Sequence, residues 1–198
     1  MPLLQKEPDL FPADLFATAS PRGDWWVARV RSRQEKRLAR HFTGQGVAYY
    51  LPQQERSVRR EGRIRTSYLP LFPGYVFYRG AAAERLRALQ SGVVVHVLEV
   101  VDQDRLDREL ADLARLQASG LPLVPHAWLG PGDEVEIVDG PFAGYFGRVL
   151  REAGRLQLVL SVSMLRRAVA VTVDRGVVIP RPARISPSHA AARLALGA

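Results

Sequence analysis

Leu71-Phe72-Pro73-Gly74-Tyr75-Val76-Phe77 sets a Pro-Gly pair directly ahead of an aromatic and β-branched run. Pro presets one backbone angle and Gly accepts the left-handed region, so the pair reads as a turn feeding a strand. Because strand side chains alternate faces, Tyr75 and Phe77 point the same way. Two uses of these rings stay open on the residues alone: an exposed aromatic patch, or the domain's own core.

Working upstream, Gln54–Tyr68 carries Glu61-Gly62 between two basic arms and reads as a hairpin. Arg56, Arg59, Arg60, Arg63 and Arg65 crowd its tip, a density of cations that a core strand does not tolerate, so it projects into solvent. Before it, Trp25–Val30 is a first strand and Val47–Leu51 a second, closed by Pro52. Between them Ser32-Arg33-Gln34-Glu35 matches a capping box opening a helix that Gly44 and Gly46 end. Leu38 and Phe42 share one helix face, and Arg33, Arg37 and His41 share another.

Working downstream, Ala81–Gln90 is a short helix stopped by Gly92, and Val93–Val101 is a strand. Leu106, Leu110, Leu113 and Leu116 mark the buried face of a last helix, ended by Gly120 and Pro122. Residues 24–119 therefore form an α+β domain, a small and mostly antiparallel sheet flanked by helices. Residues 1–23 precede it as an N-terminal extension. Residues 120–131, rich in Pro and Gly, read as a linker. Beyond it the period shortens: Glu134–Val138, Gly147–Arg151, Leu156–Val162, Ala168–Val173 and Val177–Ile179 fit a five-stranded all-β barrel over 132–180. Residues 181–198 read as a mobile tail.

The 198 residues carry 28 Lys and Arg against 20 Asp and Glu, a net charge of +8. Within Arg22–Arg65 the count is 12 basic to 4 acidic, so the excess has an address in the first domain. Localised arginine favours a polyanion because each neutralised phosphate releases counterions, although a solvated surface fits the same charge. No cysteine is present, which removes disulfides, thiolate metal sites and thiol nucleophiles and fits a reducing cytoplasm. The apolar runs are too short to span a bilayer, and the first twenty residues lack the pattern of a signal peptide. Neither lysine follows a glycine, and no Gly-x-Ser-x-Gly elbow occurs. His41, His96, His126 and His189 stand far apart without metal-ligand spacing. These absences point away from an enzyme, a metal and a cofactor.

Leu71–Phe77, following a strand–helix–strand–basic-hairpin unit, and Gly132–Gly147 (GDEVEIVDGPFAGYFG), opening a barrel after a proline-rich linker, together resemble the NusG family. These are transcription elongation factors with a NusG-type N-terminal domain and a C-terminal KOW domain. The resemblance spans roughly residues 24 to 180. It implies a non-enzymatic, cytoplasmic elongation or antitermination factor, monomeric and without cofactor. Such a factor binds the RNA polymerase clamp helices, reduces pausing, and links polymerase to ribosomal protein S10 or to Rho. The other reading is a ribosome- or RNA-binding KOW module that does not touch polymerase.

By the same resemblance Phe72, Tyr75 and Phe77 match the polymerase-binding aromatics, with Pro73 and Gly74 forming a structural turn. Arg31, Gln34, Arg37 and His41 match the helix positions that RfaH-like paralogues use on DNA, and Arg59, Arg60, Arg63 and Arg65 would lie near upstream duplex. A solvated helix face is the alternative for the former group. In the KOW domain Gly140, Gly144 and Gly147 permit tight turns. Ser163-Met164-Leu165-Arg166-Arg167 matches the partner-binding loop, with Met164, Leu165 and Arg167 as candidate contacts. It lacks the Phe and Gly of the family pattern.

Overall fold

The structure is a computed structural model that describes residues 6–17, 23–60, 63–121, 123–126, 135–137, 143–152, 155–173 and 180–182. In chain order its elements are β1 (Leu10–Phe11), β2 (Asp24–Val30), α1 (Glu35–Gln45), β3 (Tyr49–Tyr50), β4 (Gln53–Arg60), β5 (Arg63–Pro70) and β6 (Tyr75–Gly80). There follow α2 (Ala82–Gln90), β7 (Val94–Glu99), α3 (Gln103–Ala118), β8 (Val124–His126), β9 (Val135–Ile137) and β10 (Phe146–Glu152). The last are β11 (Arg155–Val162), β12 (Arg167–Val173) and β13 (Pro180–Pro182), with a 3-10 turn at Ser163–Leu165.

Five strands form an antiparallel sheet in the order β1-β3-β6-β2-β7. Period-two alternation divides its side chains between two layers. One face presents Ala28, Val30, Tyr49, Val76, Tyr78 and Val97, packed with Leu38, Ala39 and Phe42 of α1 and Ala88 of α2. The other presents Trp25, Val27, Tyr50 and Phe77, which join the α3 leucines at 106, 110, 113 and 116. The leucine spacing read from sequence therefore builds the buried stripe expected of α3. Asp102 caps that helix by accepting from the Arg105 N–H at 3.0 Å.

The capping box does not form. The first residue of α1 is Glu35, and Gln34, at its cap, makes no side-chain capping bond. The Glu35 carboxylate instead accepts from the backbone N–H of Gly74 at 2.7 Å. A buried carboxylate gains more from a tertiary N–H that has no other partner than from one that water can reach. Gly46 ends α1 at φ +66°, while Gly44 lies within the helix.

Part of the N-terminal extension is sheet and core. β1 pairs with β3, Leu15 is fully buried, and the Phe16 ring stacks on Trp25 and meets Tyr50 edge-on. Three residues of the stretch read as linker form β8, which pairs with β12. Among the described residues a second sheet runs β13-β9-β10-β11-β12-β8, with β8 drawn from the stretch read as linker, and β4 pairs with β5 alone. Val177–Ile179 and residues 183–198 lie outside the described residues, whereas Arg181 and Pro182 pair with β9. Among the described residues, no helix is long and apolar enough to cross a membrane.

Candidate functional site

The Pro73-Gly74 turn is fixed from two sides. Gly74 has φ +88°, its N–H is held by Glu35, and its carbonyl accepts from Val30 N–H at 2.9 Å. The turn thus sets where β6 starts, and with it the face that Tyr75 and Phe77 share. Phe72 is 2% exposed and Phe77 0%, their rings in edge-on contact 6.0 Å apart. Tyr75 is only partly buried and packs at the margin of the same apolar cluster. Two of the three aromatics are therefore core, and one reaches the surface. Sequence left the two uses open because alternation gives the face, while α3 decides how far along the strand that face is covered.

The same cluster continues into the C-terminal strands through Leu158, Leu160, Val162, Val169 and Val171. α3 contributes its leucines to that cluster and its Glu109 to the 3-10 turn. The Glu109 carboxylate accepts from the Ser163 N–H at 3.0 Å and its hydroxyl at 2.6 Å, and from Arg105 Nε at 2.9 Å. Burial pushes the Glu109 carboxyl above the usual range, and these donors pull it back only in part. Arg115 stacks on the Tyr145 ring at 4.6 Å and donates to the Gly144 carbonyl at 3.2 Å. Met164 and Leu165 pack against the shared cluster, and Arg167 is exposed. The three candidate contacts of that loop are thus separated: two pack against the apolar cluster and one is exposed.

The cationic candidates also divide. Arg31 and Arg37 are exposed on and before α1, and Gln34 is half-buried at its cap. His41 is tied down, its Nε2 lying 2.9 Å from the Arg87 carbonyl at the end of α2. Arg59 is exposed on the separate β4–β5 hairpin, whose register opposes Arg60 to Arg63 and Val58 to Arg65. Gly144 has φ +80° and suits a turn, whereas Gly147 lies within β10, paired with Val135, where a Cβ would meet the Val159 carbonyl oxygen at 2.6 Å. Gly140 lies outside the described residues.

Sequence reasoning did not assign the polar girdle of the N-terminal segment. The Asp9 carboxylate accepts from Gln53 Nε2 at 2.8 Å and Gln117 Nε2 at 3.0 Å, joining the hairpin base to the end of α3. Glu7 pairs with Arg40 at 2.6 Å. A usable signal existed: Asp9-Leu10-Phe11 recurs as Asp14-Leu15-Phe16, an acid followed by two large apolar residues.

No His, Cys, Asp or Glu cluster suited to a metal occurs among the described residues. A family profile described as "Transcription termination factor nusG" matches residues 23–105. The family is one of non-enzymatic transcription factors. A solved structure, "Domain interaction in Thermotoga maritima NusG", is similar at 20% identity with a TM-score of 0.42, covering 77% of this chain and 93% of that one. No curated protein sequence matches the chain.

Proposed function

We propose that this chain is an elongation factor that binds the RNA polymerase clamp helices and lowers pausing. The observation that carries the reading is the NusG-family domain at 23–105 with Tyr75 at the open margin of its aromatic cluster. Tyr75 is the contact, and Phe72 and Phe77 form the apolar floor that keeps its ring in place. Arg31, Gln34, Arg37 and His41 on one side, and Arg59, Arg60, Arg63 and Arg65 on the other, hold DNA electrostatically. The C-terminal strands act as a KOW barrel that brings a second machine, ribosomal protein S10 or Rho, to raised local concentration through Met164, Leu165 and Arg167. The factor works in the cytoplasm.

Co-purification with core RNA polymerase tests this reading. Wild type is retained, and Tyr75→Ala, which leaves the core intact, loses most of its binding. Equal retention of the two proteins would overturn the anchor assignment.

A further inference from the structure

Across the sheet, Tyr75 pairs directly with Arg29, and Arg29 pairs directly with His96. Directly paired residues share a face, so an aromatic ring, a guanidinium and an imidazole form one row over three adjacent strands. Arg29 and His96 are both exposed, and among the described residues no hydrogen bond or ion pair engages either side chain. The row ends at a bulge: β2 advances from Arg29 to Val30 while β7 steps from His96 to Val94. Val95, the extra residue, is 59% exposed. Bulges re-aim side chains at sheet edges, and β7 is an edge of this sheet. The acidic residues of the same two strands stand at the far end, where Asp24 opposes Gly80 and Glu99 opposes Trp26. Neither acid of these two strands stands at the end bearing Tyr75, and the carboxylate beside that end, Glu35, is engaged by the Gly74 N–H.

We propose that the Arg29–His96 pair is the specificity margin of the Tyr75 site, receiving a carboxylate on the RNA polymerase surface beside the apolar group that Tyr75 covers. The inference rests on the reading of Tyr75 as a polymerase contact. A planar guanidinium can hold a carboxylate through two parallel N–H donors, and the neighbouring imidazole adds a third. An apolar contact alone would accept many helical surfaces, and a required carboxylate narrows the choice.

The test measures affinity for core RNA polymerase without nucleic acid, at low and high salt, for wild type, Tyr75→Ala, Arg29→Lys and the double variant Arg29→Glu/His96→Glu. Circular dichroism and thermal unfolding check that each protein is folded. The double variant is expected to lose at least about tenfold in affinity at low salt, and to show a flatter salt dependence. Arg29→Lys keeps the charge but not the fork, and falls between it and wild type. If Tyr75→Ala weakens binding while the double variant matches wild type at both salts, the proposal is overturned and the Tyr75 reading stands. If Tyr75→Ala also binds as wild type does, the reading fails and the proposal fails with it. In a second arm with DNA added, a loss that appears only there would assign the row to nucleic acid and overturn the proposal too.

Discussion

Glu109 on α3 holds Ser163 twice, through the backbone N–H at 3.0 Å and the hydroxyl at 2.6 Å. The bonds join the long helix of the first domain to the 3-10 turn between β11 and β12. They also place Met164 and Leu165 against the apolar cluster that contains Phe72 and Phe77. A carboxylate can satisfy a tight turn in this way because both of its oxygens accept and neither donates.

Removing the hydroxyl tests the strength of that link. Ser163→Ala keeps the backbone bond and loses the shorter one to a charged acceptor, a cost of about 2 kcal/mol. Urea unfolding followed by a probe in each half should show the C-terminal strands losing protection first. Coincident and unshifted transitions would mean that the bond contributes nothing.

The same carboxyl gives a pH dependence with a definite sign. Its pKa is raised when buried, so the docked arrangement binds a proton more tightly than a solvated glutamate does. The Glu109 contribution is therefore fully present below the ordinary value of 4.5 and is lost as pH rises through the raised one. Wild type minus Glu109→Gln in thermal stability should fall as pH increases from about 4 toward neutral. A difference that is flat or rising over that window would contradict the assignment.

Phe77 and Tyr75 share a face but should fail differently. Phe77→Ala opens a cavity in a fully buried site and should cost about 3–5 kcal/mol of stability. Tyr75→Ala, at the margin, should cost about 1 kcal/mol and act chiefly on binding. Urea midpoints for both proteins decide this, and similar losses would place Tyr75 in the core.

The N-terminal segment should matter to stability as much as a core strand does. Leu15→Ala removes a fully buried side chain at a cost of about 2–5 kcal/mol. Asp9→Asn keeps one amide acceptor and should cost less. Unchanged unfolding of Leu15→Ala would show that the segment packs only loosely.

The hairpin arginines should act through salt rather than sequence. Replacing Arg59, Arg60, Arg63 and Arg65 by Ala should lower DNA affinity evenly across sequences. The slope of log affinity against log salt should shrink by about 0.9 for each duplex phosphate that is no longer neutralised. A pausing assay at several salt concentrations reads the same change in the elongation complex, and an unchanged slope would remove the hairpin from the DNA path.

Much of this molecule was legible in one dimension because the relevant interactions are local. The Pro73-Gly74 turn, the shared face of Tyr75 and Phe77, the leucine stripe of α3 and the arginine hairpin all follow from strand and helix periods. The resemblance to the NusG family rested on Leu71–Phe77 after the basic hairpin together with Gly132–Gly147, and the family profile matches 23–105. What only the tertiary structure decided depends on partners distant in the chain. Glu35 had a capping partner three residues away, yet it bonds Gly74 N–H, 39 positions on, because that donor is the one burial leaves unsatisfied. Tyr75 and Phe77 look alike in sequence, yet only the coverage by α3 and the C-terminal strands separates a margin residue from a core one. Asp9, Leu15 and Phe16 read as an extension, but Leu15 is buried in the core, Phe16 packs on Trp25 and Tyr50, and Gln53 and Gln117 bond Asp9 from across the fold. Arg29 and His96 carried no signal at all until strand register set them beside Tyr75, since pairing across a sheet is fixed by the whole sheet and not by either strand.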